Sequence, residues 1–226
     1  MSLPTSAPTR TLTCRAVLFD MDGTLVDSTA VVEQVWSEFA ERYGLDFAEI
    51  LRTSHGVRAG DTVRRFAPAG ADVVALTDEL GAMERVRTRG IVALPGAAEL
   101  LRTLPLDAVA LVTSADRILA DIRMEAAGLA MPATAVTADL ITHGKPHPEG
   151  YLRAAELLGV EPAEALVFED APAGIAAGMA AGIRTVAVGP KTGPLPDGVL
   201  HIADYSSVSA TVDTDGAGRR VISFLL

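Results

Sequence analysis

Short apolar, β-branched runs recur along this 226-residue chain, separated by stretches with helical spacing. They are AVLF (16–19), AVALVT (108–113), TAVT (134–137), ALVF (165–168) and RTVAVG (184–189). The runs are apolar on both sides of the pleat, which excludes a sheet with one face in water and suits a parallel sheet covered by helices on both faces. Stretches such as AAELLRTL (97–104) supply the crossovers. The expected fold class is therefore α/β.

The alternation is interrupted once. After AVLF no core strand follows promptly, and residues 28–91 show helical patterns only. Ser28 is expected to cap a helix whose apolar positions Val31, Val32, Val35, Trp36, Phe39 and Tyr43 share one face, ending near Gly44. Further helices are expected over 46–53, 61–66 and 71–89, with SHGVRAG (54–60) as a loop. The expected organisation is a loose leader (1–14), a core made of 15–27 and 92–226, and a small helical cap (28–91) inserted between them. Trp36 is expected to pack inside the cap. SATVDTDGAGRRVISFLL, near the C-terminus, carries an Asp-Gly turn signal between strand-like arms and is expected to form a hairpin.

Composition removes several classes of function. About half the residues are apolar, yet no stretch approaches the roughly 20 consecutive apolar residues of a membrane span, and no signal pattern opens the chain. A formal net charge of −10 disfavours a nucleic-acid backbone as partner. One cysteine, Cys14, allows no internal disulfide and no multi-cysteine metal site, which fits a reducing cytoplasm. The histidines His143, His147 and His201 lack a metal-ligand sequence pattern and are expected to be solvated or hydrogen-bonded.

The chemistry gathers where strands end. FDMDGTLVDS (19–28) sets Asp20, Asp22 and Asp27 directly after the first run, and the carboxyl ends of parallel strands are where open α/β sheets bind ligands. Thr113 and Ser114 follow the second run, and Glu169 and Asp170 follow the fourth. Lys145 stands in HGKPHPEGY, held by Pro146 and Pro148 ahead of a helix. Asp20, Asp22 and Asp170 suit a hard cation with oxygen ligands, and a hydroxyl and an ammonium suit a phosphoryl group.

These four motifs, in this order, resemble the haloacid dehalogenase superfamily of phosphohydrolases, in the subgroup with a helical cap after the first motif. The resemblance covers residues 15–205 and implies a Rossmann-like core. It implies Asp20 as nucleophile, Asp22 as general acid and base, Thr113 or Ser114 with Lys145 as phosphate binders, and Mg²⁺ as cofactor. The metal would be held by Asp20, the backbone carbonyl of Asp22, and Asp170, with Glu169 positioning or supplementing that site. Of the two hydroxyls, Ser114 is the preferred phosphate binder. Asp22 points to phosphate esters, since dehalogenases and phosphonoacetaldehyde hydrolases carry other residues there. In the related β-phosphoglucomutases a histidine lies ten residues after the second aspartate, where this chain has Val32. The expected function is hydrolysis of a small phosphorylated sugar or polyol through an aspartyl-phosphate, with a sugar phosphomutase as the alternative. The loop SHGVRAGDT resembles that of sugar-phosphate, 2-deoxyglucose-6-phosphate and glycerol-phosphate phosphatases, so His55 and Arg58 are expected to contact the organic part of the substrate. The protein is expected to act as a monomer or small homo-oligomer.

Overall fold

The computed structural model describes residues 10–190 and 193–226. In chain order, β1 (Thr11–Cys14), β2 (Ala16–Phe19) and β3 (Val26–Asp27) lead into α1 (Thr29–Tyr43), α2 (Phe47–Ser54), α3 (Ala59–Phe66) and α4 (Val73–Arg85). Then come β4 (Val92–Ala93), α5 (Ala97–Thr103), β5 (Val109–Val112), α6 (Arg117–Ala126), β6 (Thr134–Val136) and α7 (Glu149–Leu157). The chain ends with β7 (Ala165–Glu169), α8 (Pro172–Ala180), β8 (Arg184–Val188), β9 (Leu200–Ile202), β10 (Ser209–Thr214) and β11 (Arg220–Leu225).

The apolar runs form one parallel sheet in the order β6-β5-β2-β7-β8-β9. All four residues of β2, at its centre, are fully buried. Alternate residues divide between two cores: Val17, Phe19, Leu111 and Phe168 on one face, Leu18, Ala110, Val112 and Val167 on the other. That is the burial the unbroken runs require, and each Leu, Val or Phe placed there contributes about 1.5–3 kcal/mol. A third core, with Val35, Trp36, Phe39, Ile50, Val63, Leu76 and Leu80, lies wholly within α1–α4. Trp36 meets Phe39 edge-on at 5.6 Å inside it. The two-residue ladder β3–β4 joins the start and end of this helical excursion, Asp27 opposite Val92.

Several local expectations change. Residues 1–9 of the supposed loose leader lie outside the described residues, but Thr11–Cys14 is a strand. It pairs antiparallel with β11, Cys14 opposite Ile222, beside the expected β10–β11 hairpin. The edge of β11 and the apolar pocket for Leu12 and Cys14 supply what four residues could not announce alone. Burial pushes the Cys14 thiol up to about 12, against the opposing charge of Arg184, so it is an inert packing group. Ser28 precedes α1 without capping it, because its hydroxyl goes to Asp22. The sixth strand, β9, and the β3–β4 ladder were too short to show any period.

Candidate active site

Parallel pairing sets Phe19 level with Leu111 on one side and Phe168 on the other, so the residues that follow emerge together. The Asp20 N–H continues the ladder to the Phe168 carbonyl at 3.0 Å, which aims its side chain past the strand end. There Lys145, 6% exposed, donates to Oδ1 of Asp20 at 2.5 Å, to Oε1 of Glu169 at 2.6 Å and to the Val112 carbonyl at 3.2 Å. Its ammonium also lies 5.2 Å from the Tyr151 ring centre. Oε1 of Glu169 accepts from the Tyr151 hydroxyl, and Oε2 accepts from the Ala171 N–H at 2.8 Å.

Two glycines make room for this. A Cβ on Gly174 would stand 1.4 Å from Oε1 of Glu169, and one on Gly23, whose φ is +82°, would stand 2.2 Å from Oδ2 of Asp170. Gly174→Ala should therefore unseat Glu169 and lower stability by about 1–3 kcal/mol or more, as overpacking of a tight site does. Chemical denaturation checks this; a variant as stable as the parent would show that Glu169 can retreat freely.

Asp20, Glu169 and Asp170 bring carboxylate oxygens within 4.8 Å of one another. Burial raises the Asp20 carboxyl to about 7, with Glu169 adding to the rise and Lys145 opposing it. Burial, then Glu169 and Asp20, raise Asp170 well above the usual carboxylate range. Burial works against the Lys145 charge, yet Asp20 and Glu169 outweigh it and hold the ammonium well above its ordinary value. One lysine does not neutralise three clustered acids, two buried and Asp170 half-buried, and an all-oxygen donor set of this kind fits a hard divalent cation. Glu169 is the exception within the set: both its oxygens are engaged by protein donors, so it acts on the site through Lys145.

The remaining candidates divide. Thr113 is 3% exposed, and its Oγ1 accepts from the Ala115 N–H, leaving its hydroxyl proton to donate. Ser114, preferred from the sequence, gives its hydroxyl to the Gly56 carbonyl of the helical segment at 2.8 Å, which removes it as a free donor. Arg58 donates through Nε to Asp61 and through Nη1 to the Thr142 carbonyl, which ties the helical segment to the core, and it also lines the space between them, where substrate contact is expected of it. His55, immediately after α2, lines the space between the helical segment and the strand ends. Asp22 accepts from Ser28 at 2.6 Å and from Arg123 at 2.7 Å. Arg123 and its second partner Glu84 went unseen in the sequence, where an arginine in the last turn of a helix reads as part of a solvated face.

His143, His147 and Glu149 also meet, at the surface, with ligand atoms within 4.8 Å of one another, a grouping their spacing did not reveal. Glu149 is committed to the loop backbone: it accepts from the N–H groups of Thr142 at 2.7 Å and His143 at 2.9 Å. Those two bonds, then the His143 ring, hold its carboxyl down from 4.5 to about 2. A carboxyl lowered on folding stabilises above its unfolded value and loses that contribution as pH falls through the folded one. Glu149→Gln should thus melt below the parent at neutral pH, the gap closing between about pH 4.5 and 2. A gap independent of pH would remove the charge from the explanation. His201 bonds the Gly189 carbonyl and takes no part in the cleft.

A cleft of about 520 Å³ separates the strand ends from the helical segment. Asp20, Asp22, Thr113 and Asp170 form its floor, and Val32, Thr77 and Asp78 are on the opposite wall. A buried carboxylate, an adjacent ammonium, a free hydroxyl and a second carboxylate two residues on can support phosphoryl transfer.

Comparison with known proteins agrees with this chemistry. The family profile described as haloacid dehalogenase-like hydrolase matches residues 14–182. The chain is similar to hexitol phosphatase A of Escherichia coli, with 41% identity over 211 residues, covering 89% of this chain and 97% of that protein. It is 36% identical to 2-deoxyglucose-6-phosphate phosphatase 1 of Saccharomyces cerevisiae, over 76% of this chain and 78% of the other. Among solved structures, CbbY from Rhodobacter sphaeroides in complex with phosphate superposes with a TM-score of 0.72 at 20% identity, over 85% of this chain and 95% of that one. That last likeness concerns the fold.

Proposed function

The chain belongs to the haloacid dehalogenase-like hydrolases and is a phosphoric monoester hydrolase, and on that premise we propose that it hydrolyses a small phosphorylated sugar or polyol through an aspartyl-phosphate on Asp20. The observation that carries the reading is the buried Lys145, which joins Glu169 to Asp20, the carboxylate on the floor of a cleft roofed by helices. Phosphate esters of a hexitol and a deoxysugar are what the two relatives' names describe, and a cleft of this size accommodates either.

The side chains then divide the work. Asp20 attacks phosphorus, and the P–O bond to the alcohol breaks as Asp22 delivers a proton to the leaving oxygen. Water next attacks the acyl phosphate, its proton passing to Asp22, and Asp20 is released with inorganic phosphate. Lys145 and the Thr113 hydroxyl hold the phosphoryl oxygens. Glu169 and Tyr151 keep Lys145 in place. Asp20, Asp170 and the Asp22 backbone carbonyl would hold Mg²⁺, which when bound offsets the repulsion between carboxylate and phosphate dianion. Residues 28–91 serve as the cap excluding water, and 15–27 with 92–226 as the catalytic core. A lone, buried Cys14 suits the cytoplasm as the enzyme's compartment, and among the described residues no helix is long and apolar enough to cross a membrane.

A panel of phosphorylated metabolites assayed with Mg²⁺ tests the proposal. Sugar or polyol phosphates should release inorganic phosphate fastest, and exhaustive chelation should abolish turnover until Mg²⁺ is restored. Full activity after chelation would end the metal reading. Retained phosphate on an isomerised sugar would establish a mutase instead, a reading weakened because Val32, on the cleft wall, offers no imidazole.

A further inference from the structure

Arg123 lies in the last turn of α6, 4% exposed, with its guanidinium shared between two acids from distant parts of the chain. Nη1 donates to Oδ2 of Asp22 at 2.7 Å, and Nη2 donates to Oε1 of Glu84, near the end of α4, at 3.1 Å. Its buried Nε has no partner among the described residues, so its hydrogen bonding is directed at those two carboxylates. The other oxygen of Asp22 accepts from Ser28, immediately before α1. Both oxygens of Asp22 are thus restrained from the two ends of the inserted helical segment, one directly and one through Arg123.

We propose that Arg123 is a positioning residue: anchored by Glu84, it sets the orientation of the Asp22 carboxyl and makes that orientation depend on the helical segment being seated over the cleft. A carboxyl held at both oxygens cannot swing about its Cβ–Cγ bond, so its remaining lone pairs point in one direction. Proton delivery to a leaving oxygen requires such aim, since small misplacements cost large factors in rate. Fastening α4 to α6 does not explain the arrangement. Arg85 at the end of α4 already pairs at 2.5 Å with Asp116, which caps the start of α6, and a buried ion triad joins two elements no better than apolar side chains of similar volume.

The inference rests on Asp22 being the group that protonates the alcohol, and the experiment separates the two. Phenyl phosphate and p-nitrophenyl phosphate have similar shape, but phenolate needs a proton to depart far more than p-nitrophenolate does. kcat/KM, which reports the step releasing the alcohol, is measured for both esters with saturating Mg²⁺. Arg123→Met should lower it about 10²-fold for phenyl phosphate and less than about 10-fold for p-nitrophenyl phosphate, the range expected when acid catalysis is impaired. Glu84→Gln preserves length and removes the charge that anchors Arg123; it should shift the ratio in the same direction by a smaller factor, and it carries the test if Arg123→Met does not fold. Asp22→Asn is the reference. If Asp22→Asn discriminates between the esters and neither other variant does, the role of Arg123 is overturned alone. If Asp22→Asn treats both esters alike, the acid assignment falls, and this inference with it.

Discussion

Asp20→Asn is expected to lower kcat for any phosphate monoester by at least about 10⁴-fold while the protein keeps its fold. The amide has the shape of the carboxyl but cannot attack phosphorus, so the two-step route is lost at its first bond. Its position argues against collapse: Asp20 sits 5% exposed at the end of β2, where burial and the charge of Glu169 oppose a negative charge and only Lys145 favours it. Asparagine removes one of those charges and can still accept from Lys145 through its carbonyl oxygen. Thermal melting of the ligand-free variant should match or exceed that of the parent. Rapid quenching during turnover should trap phosphate on the parent and not on the variant. Near-normal turnover by the variant would eliminate Asp20 as nucleophile.

Lys145→Ala is expected to cost both activity and stability. Its ammonium is the positive charge that Asp20 and Glu169 share, at 2.5 and 2.6 Å, and all three side chains are almost wholly buried. Removing one member of such a group leaves uncompensated buried charge, a loss of about 3–5 kcal/mol in comparable cases. Glu169 fares worst, since it cannot be hydrated without opening the turn at Ala171. Activity should fall alike for the preferred sugar or polyol phosphate and for a small generic ester, because both present the same phosphoryl group to this corner. Denaturation curves and kcat/KM on the two substrates measure the two effects. A variant that unfolds at the parent's denaturant concentration and hydrolyses the small ester normally would reduce Lys145 to a packing residue.

The sheet and most of the cleft floor are legible along the chain. AVLF, ALVF and their counterparts are apolar on both sides of the pleat, which only a doubly covered parallel sheet satisfies, and parallel pairing places every strand's carboxyl end at one edge. From that alone Asp20, Thr113, Glu169 and Asp170 must converge, though 150 residues separate the first from the last. Lys145 was legible because two prolines fix its loop next to motifs that already demanded a cation. The tertiary structure decided which polar groups are spent and on what. Ser114 and Thr113 are equivalent in the sequence until the Gly56 carbonyl of the helical segment takes one hydroxyl. Nothing in the spacing shows that Arg58, on the cleft wall, also bonds Asp61 and the Thr142 carbonyl. Arg123 resembles any exposed helical arginine until packing brings it to Asp22, 101 residues away, and to Glu84, 39 residues away. Hydrophobic period is a local property and survives reading along the chain; a hydrogen bond joins groups whose approach depends on how whole layers pack, and no spacing along the chain encodes it.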